Sequence, residues 1–282
     1  MNDTKRNLKT LTNMNKSSFI ATLATLATLA SFSALAQTSP IQSSVRPFGL
    51  EIVDKVQSAA SDDASKKFQV KVLPKVSKLV NDNLGEKVKV KDSAFLLDPS
   101  KLTLKTASDV RVYFVGDGAA YANTLGFTTD GSGSVDSKTA QLIFPNASTG
   151  SKLTKDEPVQ AGDYVTLGKM EAGSALDFFV IANGANGGKT TFSTQLSENP
   201  DGINHVVSFA YRMKDSPYLI LGFEDLLGGG DRDFNDVLFA VDIGAVNVAA
   251  LTATPEPATM ASMGAFLALG WVLRRRQAAS SK

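Results

Sequence analysis

The spacing of apolar positions changes character about one third of the way along the chain. Between Leu50 and Leu84 it is mixed: Ile52, Val53 and Val56, then Val72, Val76, Leu79 and Val80, recur at helical spacing, with Pro74 as an interruption. One or two helices are expected there. Lys87-Val88-Lys89-Val90-Lys91 then alternates with period two, the pattern of a strand with lysines on one face. From about residue 101 the chain becomes a series of short β-branched and aromatic runs separated by Gly, Asn and Asp. The strands expected are Leu102–Leu104, Val110–Val115, Leu142–Phe144, Tyr164–Leu167, Leu176–Ala182, Thr190–Ser193, His205–Tyr211, Tyr218–Phe223 and Val237–Ile243. Many short strands with no helical period between them predict a mainly β protein, a jelly-roll-like β-sandwich preceded by a small helical or mixed segment.

The two ends follow other rules. Lys5, Arg6, Lys9 and Lys16 precede an apolar run from Phe19 to Leu35, and Ala34-Leu35-Ala36 closes it with small residues before Gln37. That is the order of a secretory signal with cleavage after Ala36. At the other end Pro255-Glu256-Pro257 is followed by 16 residues without charge, Ala258 to Leu273, and then by Arg274, Arg275 and Arg276. A span usually needs about 20 apolar residues, so this one is short, and the arginines would stay on the cytoplasmic side. The expected organisation is a signal peptide at 1–36, a leader and helical segment at 37–100, a β module at 101–250, and a terminal signal at 254–277.

Composition narrows the chemistry. The 282 residues include no Cys and one His, so thiol catalysis, disulfides and Cys/His zinc sites lack ligands. The formal net charge of +1 gives no basic field for nucleic acid. It is also misleading, because four basic residues lie in each terminal segment. Residues 37–257 carry 21 basic and 27 acidic groups, near −6, and 18 of the acids fall within 111–257. An acidic body of this kind suits cations.

The densest chemistry is the stretch from Glu224 to Asp236. Glu224, Asp225, Asp231, Asp233 and Asp236 place five carboxylates within 13 residues, with the carboxamide of Asn235 and the glycines 228–230 among them. Such crowding is repulsive unless a hard divalent cation is shared, and calcium takes 6–8 oxygen ligands. Acidic turns are also common simply because Asp, Asn and Gly fit tight geometry, and Arg232 supplies some neutralisation. The stretch from Asp231 is not an EF-hand: Asp236 stands where that loop needs glycine, and Val237–Ile243 reads as a strand. An acidic loop feeding a β-strand is the expectation, and calcium the expected ion.

Other candidates are weaker. His205 has no obvious nucleophile beside it and reads as a hydrogen-bonded structural residue. Asp117 with Glu224, or Asp177 with Glu171, has the composition of a glycosidase pair, but the sequence fixes no separation between them. Thr129–Ser134 is a Gly/Ser-rich loop, not a phosphate cradle. Tyr121, Phe127, Tyr164 and Tyr211 are the aromatics available for stacking on a sugar.

Two resemblances extend this reading. The Pro255-Glu256-Pro257 box, the short span and Arg274–Arg276 resemble the PEP-CTERM sorting domain of exopolysaccharide-producing Gram-negative bacteria. That resemblance implies export by the secretion machinery, transient insertion of the C-terminal segment in the membrane, processing by an exosortase-type enzyme, and a place at the outer surface or in the extracellular matrix, with exopolysaccharide as a partner. Separately, Phe223-Glu224-Asp225-Leu226 with Gly228–Val237 resembles the signature of domain-of-unknown-function family 4114. Val112–Gly126, which contains Asp117, resembles its opening block, and Asn199–His205 its middle. Many members are expected to carry Glu where Asp117 stands. The resemblance implies calcium dependence and adds Asp117 to the candidate ligands. Together the readings predict a non-catalytic structural or adhesive module, with an extracellular polysaccharide-binding or polysaccharide-hydrolysing protein as the alternative.

Overall fold

A computed structural model describes residues 43–83, 96–149, 159–210 and 215–253. The expected signal peptide, the Lys87–Lys91 strand, Tyr211, and the terminal sorting signal with its apolar span lie outside the described residues. Among the described residues no helix is long and apolar enough to cross a membrane.

The described chain is mainly β, in two antiparallel sheets. One has six strands in the order β1 (Leu96–Leu97), β8 (Val206–Ala210), β9 (Tyr218–Phe223), β10 (Val237–Asp242), β2 (Ser108–Gly116), β5 (Tyr164–Met170). The other has four, in the order β4 (Gln141–Phe144), β3 (Thr124–Thr128), β6 (Asp177–Ile181), β7 (Thr191–Ser193). The chain passes between the sheets repeatedly, and inward-facing residues of both meet in one core. Phe178 of the smaller sheet lies 5.1 Å from Phe239 of the larger, and Phe114 lies 5.8 Å from Phe144, ring centre to ring centre.

The strands read as continuous apolar runs because the larger sheet is buried on both faces. Along β10, Val237, Phe239 and Val241 enter the shared core, while Leu238 and Ala240 face outward. Tyr113, Tyr218 and Ile220 share that outer face and are covered by a helical segment. This segment runs through α1 (Asp63–Lys67), a π-turn (Phe68–Val72) and α2 (Leu73–Asn83) without a break. Phe68 stacks on Tyr113 at 4.0 Å, and Val72, Val76 and Val80 follow it into the same cluster. Pro74 therefore does not interrupt the helix as its sequence position suggested. The Leu73 amide donates to the Phe68 carbonyl, so the backbone widens by one residue just before a proline that has no amide to give.

Other departures are local. Leu102–Leu104 makes only a single bridge, Thr103 to Ala175, and is not a strand. β3 is not evident in the sequence because Gly126 interrupts its apolar pattern; a Cβ there would sit 2.3 Å from the Phe179 ring, so the cross-strand packing requires glycine. A helix, α3 (Ala245–Ala253), follows β10, and its Asn247 accepts from the Lys105 and Thr106 amides at 2.8 and 2.9 Å.

Asp62 caps α1. It accepts from the Ser65 amide at 2.7 Å, the Ser65 hydroxyl returns to the Asp62 backbone, and Arg111 pairs with it at 2.9 Å. Partial burial opposes ionisation, but the Ser65 hydrogen bonds and the Arg111 charge prevail and hold the carboxyl at about 2. A pKa held low contributes stability above the unfolded value, and that contribution is lost as pH falls through about 2. Asp62→Ala is expected to cost about 1 kcal/mol in urea melts at pH 7. The difference from wild type should shrink between pH 4 and pH 2; a cost independent of pH would show that the charge plays no part.

Candidate metal centre

The acidic stretch is the connection between β9 and β10, two neighbouring antiparallel strands whose last pair, Phe223 with Val237, closes its base. The Asp236 amide donates to the Phe223 carbonyl at 3.0 Å, and the Glu224 amide to the His205 carbonyl at 2.8 Å. The ends of the loop are thus fixed to rigid strands, and its middle is free to curl. It curls through left-handed backbone at Arg232 and Phe234 as well as at Gly228–Gly230.

That path brings Glu224, Asp231 and Asp233 together: one oxygen from each lies within 4.8 Å of the others. Glu224 and Asp233 are buried and Asp231 is exposed. Glu224 also accepts from the Phe234 amide at 2.6 Å. Gly230 is pressed against the same carboxylate, since a Cβ at that position would stand 2.4 Å from Glu224 Oε2. The glycine run thus serves close approach as well as chain reversal.

The remaining candidates fall outside this trio. Asp225 and Asp236 pair with each other. The Asp225 amide donates to Asp236 Oδ2 at 2.9 Å, and Asn123 Nδ2 donates to Asp225 Oδ2 at 2.7 Å. Asp117 accepts from the amides of Ala119 and Thr149 at 3.0 and 3.2 Å. Asn235 orients Asp233 instead of joining it, through its side-chain amide to Oδ2 and its backbone amide to Oδ1. The Gly118 amide donates to the Asn235 carbonyl at 2.9 Å, which lays the 117–123 loop along the acidic one.

The electrostatics are those of carboxylates held together against their charge. Burial, with Asp231 and Asp233 nearby, pushes Glu224 up to about 7. Burial and the charge of Asp225 push Asp236 up to about 8, and burial lifts Asp117 to about 6. Asp225 and Asp233 are raised by burial too, Asp233 further by Asp231. An acid raised in the folded state gives stability that is complete below its unfolded pKa and is lost as pH rises through the folded value. Metal-free protein is therefore expected to melt higher near pH 5 than near pH 8. A flat or rising profile across that window, measured by differential scanning calorimetry in chelator, would contradict these shifts.

Asp201 and Asn123 support the site without standing out in the sequence. Asp201 Oδ2 accepts from the Gly228 amide at 2.7 Å and sits 2.9 Å from His205 Nε2, tying the 199–205 turn to the glycine run. His205 is fully buried and stacked on Phe192 at 3.9 Å. Asn123 braces Asp225 while its Oδ1 accepts from the Asn183 amide. Both lie in the blocks Val112–Gly126 and Asn199–His205, where the family resemblance was the available signal. Among the aromatics considered for sugar stacking, Phe127 and Tyr164 are buried and Tyr121 is exposed. Asp177 is buried, with Oδ1 accepting from Gln195 Nε2 at 2.6 Å, while Glu171 is exposed beside Lys169.

Residues 170–244 match the family model of a domain of unknown function (DUF4114). The match begins at the end of β5 and runs past β10, so it contains the whole acidic loop and the Asp201–His205 pair. It leaves out Asp117, Asn123 and the helical segment. No curated protein and no solved structure matches the chain.

The trio's spacing can be tested against a calcium ion. Oxygens 2.3–2.6 Å from a common ion lie at most about 5 Å apart, and the oxygens of Glu224, Asp231 and Asp233 satisfy that. Loop carbonyls and water would complete 6–8 ligands. The donor set, oxygen alone, is the one a hard cation takes.

Proposed function

We propose that this protein is an exported, calcium-stabilised, jelly-roll-like β-sandwich module with a structural or adhesive role at the bacterial surface, and that the DUF4114 segment carries its ion. One observation carries the reading: three carboxylates converge within 4.8 Å although two of them are buried. Ionised carboxylates removed from water repel one another, and a bound cation turns that repulsion into attraction. The ion would be held by Glu224, Asp231 and Asp233, oriented by the Phe234 amide and by Asn235. Its role would be to fix the β9–β10 loop, and with it the 117–123 loop laid alongside.

The order of basic, apolar and small residues at 1–36 supports export, and Pro255-Glu256-Pro257 followed by Arg274–Arg276 supports processing by an exosortase-type enzyme. On this reading the C-terminal segment enters the membrane only transiently. The repeated passage of the chain between its two sheets, with one core between them, supports the sandwich.

Isothermal titration of the metal-free protein with calcium tests the ion. One ion per chain is expected to bind, with loss of the heat signal in Asp231→Asn/Asp233→Asn. Equal binding by wild type and variant would place the ion elsewhere; no binding by either would remove it. Mass spectrometry of the mature protein tests the ends: a terminus at Gln37 and a C-terminus near Pro257 are expected, and an intact chain would contradict processing.

A further inference from the structure

The helical segment over the six-stranded sheet buries one face and presents a row of lysines on the other. Lys66, Lys67, Lys71, Lys75 and Lys78 are all exposed along it, and no acidic residue occurs from 64 to 81. From Lys66 to Lys78 the row is about 18 Å long at 1.5 Å per residue. Lys67, Lys71 and Lys75 follow one another at intervals of four residues, so they lie along one side of the helix. Among the described residues, no carboxylate lies at ion-pair distance from Lys66, Lys67, Lys71 or Lys75.

We propose that this lysine row is a docking surface for a linear acidic polysaccharide. The occupant must be anionic and extended, because the row is cationic and runs along the length of a helical segment. A membrane fits poorly: a basic amphipathic helix inserts through its apolar face, and here Phe68, Val72, Val76 and Val80 are already committed to the sheet. Val70 is the one large apolar side chain exposed in the segment. Nucleic acid fits poorly too. The row has no arginine for bidentate phosphate contacts and no exposed aromatic for base stacking. A second copy of the chain would have to supply carboxylates, and those that are exposed among the described residues, such as Glu51, Asp54, Asp109, Glu171 and Glu198, are scattered along the sequence and form no row of comparable length on one element. A chain of uronic acid units, with one charge per sugar and less charge density than DNA, meets the row without those conflicts. The acidic loop takes no part, so this inference stands or falls separately from calcium binding.

Affinity electrophoresis of the full chain in gels containing polygalacturonate, with chelator throughout, tests it. Retention of wild type is expected, weakening as salt is raised from about 50 to 200 mM, as counterion release requires. Lys71→Gln/Lys75→Gln should weaken retention roughly tenfold or more, since each lysine contributes on the order of a few-fold to polyanion affinity. Lys138→Gln/Lys169→Gln removes the same charge from exposed sites elsewhere and should bind as wild type does. Lys71→Arg/Lys75→Arg keeps the charge and should also be retained. The proposal is overturned if wild type is not retained, if the two Gln variants weaken alike, if the Arg variant is lost, or if duplex DNA or phosphatidylglycerol vesicles bind more tightly than the uronate polymer.

Discussion

Adding calcium is expected to raise the melting temperature of the metal-free protein by roughly 5–10 °C. The size follows from linkage: an ion that binds only the native state, at a free concentration 100-fold above its Kd, stabilises by about 2.7 kcal/mol. For a body of this length each kcal/mol moves the transition by about 2–4 °C. The same ion should reverse the pH response. Without it, stability falls between pH 5 and pH 8 as Glu224 and Asp236 lose the protons that burial forces on them. With it, ionised Glu224 is one of the ligands, and rising pH favours the complex. Glu224→Gln separates the two effects. It removes the buried charge, so the metal-free variant should melt at or above wild type near pH 8, and calcium should no longer raise its transition. A variant that still gains several degrees would show that Glu224 is not a ligand.

Phe239→Ala is expected to cost about 3–5 kcal/mol, the largest effect of any single substitution considered. Phe239 is fully buried in β10, 5.1 Å from Phe178 of the opposite sheet and 6.2 Å from Phe223 of its neighbour β9. Truncation leaves a cavity between the sheets, which the surrounding strands cannot fill because each is fixed by its ladder on both sides. The same strand begins where the acidic loop ends. Calcium should therefore restore part of the lost stability while leaving the difference between variant and wild type nearly unchanged, since cavity and ion act at separate places. Urea denaturation with and without calcium measures this. A cost below about 1 kcal/mol would mean that the sheets do not share a packed core at this position.

Much of the fold is written in short, nearly continuous apolar runs, and the exceptions have physical causes. Val110–Val115, Tyr218–Phe223 and Val237–Ile243 announce themselves because strands buried on both faces are apolar throughout. β3 was hidden by Gly126, whose value lies in a cross-strand contact that no local pattern encodes. Leu102–Leu104 has the composition of a strand but forms a single bridge, because its backbone partner is the turn at 173–176 and not a strand that could extend a ladder. Pro74 misled in the opposite sense, as a π-turn absorbs it.

The site was legible as a place more than as a geometry. Five carboxylates among glycines marked 224–236, and the loop does join β9 to β10. Which of them converge was beyond sequence, because left-handed backbone at Arg232 and Phe234 decides where each side chain points. Thus Glu224, Asp231 and Asp233 meet, Asp225 and Asp236 turn to each other, and Asp117 is held by backbone amides. Asp201 is farther away in sequence still, and only folding reveals that it holds the Gly228 amide.

A crystal of the protein grown in calcium, with anomalous diffraction recorded, addresses the site itself. The account predicts one peak about 2.3–2.6 Å from an oxygen of each of Glu224, Asp231 and Asp233. It is contradicted if no peak appears there and those three side chains instead turn outward into solvent or close on Arg232.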